Sequence, residues 1–126
     1  MKSMNKEVSE EINAAKDMAR AIYEDKCAEI NGREYKITNM NHAKRRKVFA
    51  YFTHIQESLS RGDLWFLETK DWQDVEQTIS GIVTIDDSLL SKKQGHWDEF
   101  PEDYILFIQS MLPAISYPFL KGLGGN

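Results

Sequence analysis

The stretch CAEINGREYKI, residues 27–37, decides the fold. At its centre Asn31-Gly32 is a strong signal for a two-residue type I′ turn, because both central positions of that turn need positive φ angles. Such a turn pairs Ile30 with Arg33 and places four side chains on one apolar face: Ala28, Ile30, Tyr35 and Ile37. An isolated hairpin is marginally stable in water, so this one must lie on a helix or join other strands.

Upstream of the hairpin, apolar residues recur at the helical spacings of four, three, four and three: Val8, Ile12, Ala15, Ala19 and Ile22. The pattern predicts an amphipathic helix within residues 1–25 with a narrow apolar stripe. Two interpretations stay open for this helix. It lies peripherally on the core of the domain, or it forms a seam in an oligomer.

Downstream, apolar spacing predicts a second helix, capped by Thr38, Asn39 or Asn41, with a core stripe of Val48, Phe52, Ile55 and Leu59. A short helix follows, for which Asp71 is the expected N-cap and Gly81 the end. Residues 82–85 are typical of a short strand, and Asp86-Asp87 of a turn.

The last helix is expected to begin at Pro101 and is apolar on nearly every side, which implies burial within the fold or between chains. Pro113 is expected to kink or end it, and Pro118 to end any continuation. Residues 121–126 are expected to form a frayed tail. Together the pattern predicts one compact domain over residues 1–126, mainly α with a small β-hairpin (α+β), with about four to five helices.

The composition is that of a globular protein, with 126 residues, 41% of them hydrophobic and 29% charged. Cys27 is the single cysteine and cannot form an internal disulfide. The N-terminus lacks the apolar region of a signal peptide, and no apolar run is long enough to cross a bilayer. We therefore expect a soluble, intracellular protein.

Signals for chemistry are weak throughout the chain. The three histidines share no metal-ligand spacing, and no nucleophile motif is present. Carboxylates cluster at Asp86-Asp87 and at Asp98-Glu99 with Glu102-Asp103, where turn and helix-cap roles on the surface are expected. The sequence thus predicts no catalytic, cofactor or metal site, and the expected protein is not an enzyme.

A basic run, Lys44, Arg45, Arg46 and Lys47, opens the second helix. Three interpretations stay open: a solvated face, contact with an acidic protein partner, or contact with nucleic acid. With a net charge of −4, a general electrostatic attraction to nucleic acid is not expected, and only a local basic patch could supply one. Consecutive helical residues also advance by about 100° each, so the four side chains fan around the axis rather than forming one stripe.

The sequence contains more large aromatic side chains than the predicted helices obviously bury. Trp65 and Phe66 follow a helix stop, and Trp97 stands ahead of the last helix. A surplus of this kind favours self-association or a protein partner.

Three pieces in this order, INGREYKI (30–37), NHAKRRKVFAYF (41–52) and HWDEFPEDYILFIQSMLPAISYPFL (96–120), resemble the small tail assembly chaperones of tailed bacteriophages. The resemblance covers roughly residues 27–120 and leaves residues 4–24 unmatched. It implies a non-enzymatic, mainly helical protein without cofactors that tends to self-associate. Such chaperones act in the cytoplasm of the infected bacterium and are absent from the mature virion. They keep the tape measure protein soluble while tail tube subunits assemble around it.

The resemblance implies the tape measure protein as a partner and the tail tube protein as a second candidate partner, and it implies a homo-oligomer. The hypothetical partner-binding residues are Lys44, Arg45, Arg46, Lys47, Phe49, Phe52, Trp65, Phe66, Trp97 and Phe107. The alternatives are a small helical nucleic-acid-binding regulator that uses the basic run, and an enzyme with an unrecognised site.

Overall fold

The computed structural model describes residues 16–124. Over that range a small antiparallel sheet packs with five helices, in the mainly helical α+β arrangement that the sequence predicts. The strands are β1 (Cys27–Ile30), β2 (Arg33–Ile37), β3 (Val83–Ile85) and β4 (Ser88–Leu89). The helices are α1 (residues 16–25), α2 (His42–Ser60), α3 (Lys70–Ser80), α4 (His96–Glu99) and α5 (Tyr104–Gly124). Short 3₁₀ turns cover Trp65–Glu68, Leu90–Lys92 and Pro101–Asp103.

The hairpin forms in the predicted register, with Ala28 opposite Tyr35 and Ile30 opposite Arg33. The turn has positive φ at both central residues, 51° at Asn31 and 82° at Gly32. Its apolar face is buried, as expected. The hairpin is stabilised by further strands, since the sheet order is β1-β2-β3-β4. The two-residue strand β4 is too short to be predicted from its sequence.

The turn residue Gly32 gives a direct test of the hairpin. A Cβ added there would meet nothing within 4 Å, so the cost of Gly32→Ala is backbone strain alone. We expect it to lower the unfolding free energy by about 1–2 kcal/mol. Gly122→Ala is the matched control, because Gly122 is helical and equally uncrowded. It should stabilise by about 0.5–1 kcal/mol, and urea denaturation showing the same sign for both variants would contradict this account of the turn.

Helix α2 begins as predicted at one of the candidate caps. The side chain of Asn41 accepts a hydrogen bond from the backbone N–H of Lys44 at 2.9 Å. In α3 the expected cap is wrong: the hydroxyl oxygen of Thr69, not Asp71, accepts from the backbone N–H of Trp72. Asp71 lies in the first turn instead, where its charge interacts favourably with the helix dipole.

Helix α5 continues through Pro113 and Pro118 to Gly124, so the prediction that Pro118 ends it is wrong. Of the two effects expected of Pro113, a kink or an end, the helix does not end there. A proline inside a helix costs about 3 kcal/mol. Each large apolar side chain that the helix buries stabilises the fold by about 1.5–3 kcal/mol. Fully buried residues flank Pro113 on both sides: Met111, Leu112, Ala114 and Ile115. This packing stabilises the helix across the break in its hydrogen bonding.

The two ends of the chain are described in part. Residues 16–25 are helical, with Ala19 buried and Ile22 packed against the core. Residues 1–15, which include Val8, Ile12 and Ala15 of the predicted stripe, lie outside the described residues. Residues 121–124 are helical, and the rest of the expected frayed tail lies outside the described range. None of the described helices has the length and apolar character to span a membrane.

Candidate functional site

Asp103 is fully buried and collects hydrogen bonds from three residues of the hairpin. Its carboxylate accepts from Asn31 Nδ2 at 2.7 Å, from Arg33 Nε at 2.6 Å and Nη2 at 2.9 Å, and from the Tyr35 hydroxyl at 2.6 Å. The prediction of a surface cap residue at Asp103 is therefore wrong. Because Asp103 directly precedes α5, these bonds tie the hairpin to the start of that helix. Glu102, the neighbouring carboxylate, contacts Arg33 from the exposed side at 2.8 Å.

The charges in this cluster stabilise one another. Hydrogen bonds from Arg33, the largest cause, hold the pKa of the Asp103 carboxyl well below its usual range. The same bonds raise the pKa of the Arg33 guanidinium. Burial and the bond to Asp103 raise the pKa of the Tyr35 hydroxyl. At neutral pH the cluster is therefore an ion pair with a neutral tyrosine.

Tyr35 also determines which ring nitrogen of His96 carries the hydrogen. The Tyr35 hydroxyl has one hydrogen, and it is donated to the ionised Asp103. His96 Nε2 lies 2.8 Å from the Tyr35 oxygen, so Nε2 must carry the hydrogen of this bond. Burial, and next Lys93, lower the pKa of His96, which favours the neutral ring. A neutral ring with a hydrogen on Nε2 has its free lone pair on Nδ1.

These pKa shifts predict that the protein loses stability in acid. An unfolded histidine has a pKa of about 6.5. Because the folded His96 has a lower pKa, the unfolded chain takes up the proton first as the pH falls through that value. Below about pH 4, Asp103 destabilises the folded protein in the same way, because the pKa of its carboxyl is lower in the folded protein than in the unfolded chain.

Urea midpoints measured from pH 8 to pH 3 should therefore be level above about pH 7 and fall in two steps below it. In a His96→Gln variant the first step should shrink. An unchanged first step in that variant would show that His96 is not its source.

A polar groove runs between α3 and the segment that leads into α4, and we call it the α3–α4 groove. Its volume is about 870 Å³. It is lined by Lys70, Asp71, Gln73, Asp74, Glu76, Gln77, Ser80, Leu90, Lys93, Gly95, His96, Trp97 and Asp98. Glu76 accepts a hydrogen bond from the hydroxyl of Tyr104, which in turn accepts one from Trp72 Nε1 at 2.9 Å.

An apolar groove lies where the start of α2 meets the end of α5, and we call it the α2–α5 groove. Its volume is about 460 Å³, and it is lined by His42, Arg46, Phe49, Pro118, Phe119, Gly122 and Leu123. The rings of Phe49 and Phe119 lie 5.0 Å apart. The ring of His42 meets Phe119 edge-on at 5.9 Å. Leu123 is 76% exposed, so the groove presents apolar surface to solvent.

The four residues of the basic run have different surroundings, as expected for consecutive residues that point in different directions around a helix. Lys47 pairs with Asp74 of α3 at 3.0 Å. Arg45 lies over the ring of Tyr23 in α1 at 5.8 Å, with its Nε buried and unpartnered. Lys44 is half-buried, and only Arg46 lines the α2–α5 groove. The run therefore does not form a single basic patch.

Three of the aromatic residues proposed to bind a partner are core residues. Phe52, Phe66 and Phe107 are each at most 5% exposed, which corrects their assignment to an interaction surface. Burial explains this, since each side chain is already packed inside the domain.

The other three aromatics reach solvent. Trp65 is half-exposed and donates from Nε1 to the Ser58 hydroxyl at 2.9 Å. Trp97 is half-buried in the wall of the α3–α4 groove, and Phe49 is half-buried in the α2–α5 groove. The structure thus brings together Arg46 and Phe49 of the predicted set and leaves Trp65 and Trp97 elsewhere.

Sequence inspection missed three groups of residues. These are the Asp103 cluster, the groove position of His96, and the contribution of Phe119 and Leu123 to an apolar surface. Within residues 16–124, no three His, Cys, Asp or Glu side chains are grouped so as to hold a metal ion. Compared with models of protein families, with curated proteins and with solved structures, the chain matches none of them.

Proposed function

We propose that this protein is a non-enzymatic chaperone that binds a helical segment of a protein partner in the α2–α5 groove. The resemblance to tail assembly chaperones makes the tape measure protein of a tailed phage the proposed client. On this proposal the protein acts in the infected host cell and is left out of the finished particle. The observation that supports it is the open apolar groove around Phe49, Phe119 and Leu123.

The walls of the groove suit the apolar side of an amphipathic helix. Aromatic rings from two different helices meet there, and Leu123 projects into solvent beside them. A partner helix with apolar residues at spacings of three and four can place successive side chains against such a surface. A polar or strongly charged partner segment would leave this apolar area exposed to water.

The rim of the groove adds a preference for acidic residues. Arg46 is exposed on the rim and forms no ion pair with another described residue. A carboxylate on the polar side of the bound helix would meet it. A long helical client repeats such segments along its length, so many weak contacts can hold it by avidity.

The experiment is co-expression of the tagged protein with its neighbouring genes, followed by affinity purification and mass spectrometry. The proposal predicts one very long, helix-rich protein in the eluate, and a loss of it when Phe119 is changed to serine. Recovery of nucleic acid alone, removable by salt, would overturn the proposal in favour of a nucleic-acid-binding regulator.

A further inference from the structure

We propose that the outer edge of strand β1 is a second protein-binding surface, which adds an extended, basic segment of another protein to the sheet. None of the residues of β1 lines the α2–α5 groove, so the proposed chaperone function does not bear on this surface. Three features of the strand support it: main-chain groups that β2 leaves unpaired, an exposed outer face, and acidic side chains on that face.

The hydrogen bonding of the hairpin leaves one edge of β1 open. In the sheet order β1-β2-β3-β4, the only described neighbour of β1 is β2. The two-residue turn makes Ile30 the first residue that bonds to β2, and bonding positions then alternate along an antiparallel strand. The bond from the Ile37 N–H to the Lys26 carbonyl, at 2.8 Å, continues this alternation. The main-chain N–H and C=O groups of Cys27 and Glu29 therefore point away from β2.

This edge is accessible to a partner. Glu29 is exposed and Cys27 is half-buried on the outer face, whereas Ala28 and Ile30 are buried on the core side. Edge strands often avoid further pairing by means of a proline or a β-bulge. Strand β1 has neither, and its register with β2 is continuous. An extended segment can therefore form about four main-chain hydrogen bonds with Cys27 and Glu29.

The outer face beside this edge carries two opposed glutamates. Glu29 lies directly opposite Glu34 in the hairpin, and both residues are exposed. Like charges on directly opposed residues destabilise a sheet. Neither carboxylate forms an ion pair with another described residue. A lysine or arginine on an added strand, placed opposite Glu29 on the same face, would reduce this repulsion.

The thiol of Cys27 shows that the acidic surroundings extend along the strand. Burial raises the pKa of the thiol most, and the carboxylates of Glu34, Asp25 and Glu29 raise it further. The ammonium group of Lys36 lowers it. Both outward-facing positions of β1 therefore lie close to carboxylates.

These charges select the kind of partner. Two copies of β1 paired edge to edge would bring the glutamates of both chains close together, so a second copy of this chain does not fit. A basic extended segment gains the main-chain hydrogen bonds and the charge interaction together. Because side chains alternate between the two faces of a strand, the segment should carry lysine or arginine at every second position. We expect it to pair antiparallel to β1, as the other strands of this sheet pair with their neighbours.

Amide hydrogen exchange of nitrogen-15-labelled protein measures whether the edge is open. In the free protein the amides of Cys27 and Glu29 should exchange much faster than those of Ala28 and Ile30, which bond to β2. The probe is a blocked peptide, Thr-Lys-Val-Lys-Val-Lys-Thr, at low salt. At about nine-tenths saturation it should slow exchange at Cys27 and Glu29 roughly tenfold, because only the unbound fraction exchanges.

Modified peptides separate the main-chain contribution from the charge contribution. In an antiparallel pair, the residue opposite Glu29 exchanges both main-chain bonds with it, and in this peptide that residue is a lysine. A peptide with N-methylated lysine amides should therefore not bind, whereas one with N-methylated valine amides should bind as the parent does. A peptide with glutamate in place of the lysines should not bind.

Two variants of the protein test the role of the charge. Glu29→Gln should weaken binding of the lysine peptide by about two- to fivefold. Glu57→Gln removes an exposed charge from α2 instead and should leave the affinity unchanged. Equal affinities for the two variants, or binding of the glutamate peptide or of the lysine-methylated peptide, would overturn the proposal. Slow exchange at Cys27 and Glu29 in the free protein would also overturn it, in favour of a second copy if the slowing increases with protein concentration and of residues 1–15 if it does not.

Discussion

Replacing Asp103 with asparagine is expected to lower the unfolding free energy by about 2–4 kcal/mol. The substitution keeps the shape of the side chain but removes its charge and turns one acceptor oxygen into an NH₂ donor. That donor would face groups that are themselves donors, from Arg33, Tyr35 or Asn31. The carboxylate is fully buried, so water cannot take its place. Urea denaturation at pH 7 measures the change.

The adjacent residue provides the control for this experiment. Glu102 contacts the same guanidinium, but more than half of its side chain is exposed. Surface ion pairs contribute about 0–1 kcal/mol, so Glu102→Gln should change stability little. If both variants cost the same, the stability of the hairpin does not come from the buried cluster.

Replacing Leu123 with glutamine is expected to weaken binding of the client by about 30-fold, or roughly 2 kcal/mol. Among the large apolar side chains of residues 16–123, that of Leu123 is the most exposed, and it belongs to the α2–α5 groove. Glutamine is similar in size and suits a helix, so folding should be unaffected. Binding is measured by titrating the purified client segment into each variant.

Leu106 supplies the matched control, since it lies on the same helix, is 45% exposed and is outside the lining of the groove. Leu106→Gln should leave the affinity unchanged. Arg46→Glu should weaken binding at low salt and much less at high salt, because screening removes the effect of an exposed charge. A Leu106 variant that binds as poorly as the Leu123 variant would place the contact elsewhere on α5.

Local features of the fold were predictable because the residues that determine them are neighbours in the chain. Asn31 and Gly32 specify their turn by φ preference alone, and that turn fixes the register of the four residue pairs between β1 and β2. The cap at Asn41 follows from the same short-range logic. Helix α5 shows the limit, since the effect of Pro113 is decided by tertiary packing that its local sequence does not encode.

The candidate sites depend on distant pairs, and for that reason the sequence does not reveal them. Asp103 meets Arg33 across 70 positions of the chain. The helical stripe on α2 correctly placed Phe52 in the core, whereas the partner hypothesis assigned it to the surface. Phe49 differs from Phe52 by three positions, yet it reaches the groove because α5 ends beside it and supplies Phe119.

The most direct test of the proposed function is site-specific crosslinking in cells that also express the neighbouring genes. A photoreactive benzoylphenylalanine replaces Phe119 in one variant and Leu106 in another. Crosslinking of the position 119 variant to a long helical protein, with little from position 106, is the predicted result. A client captured from position 106 but not from position 119 would contradict the assignment of the α2–α5 groove as its binding site.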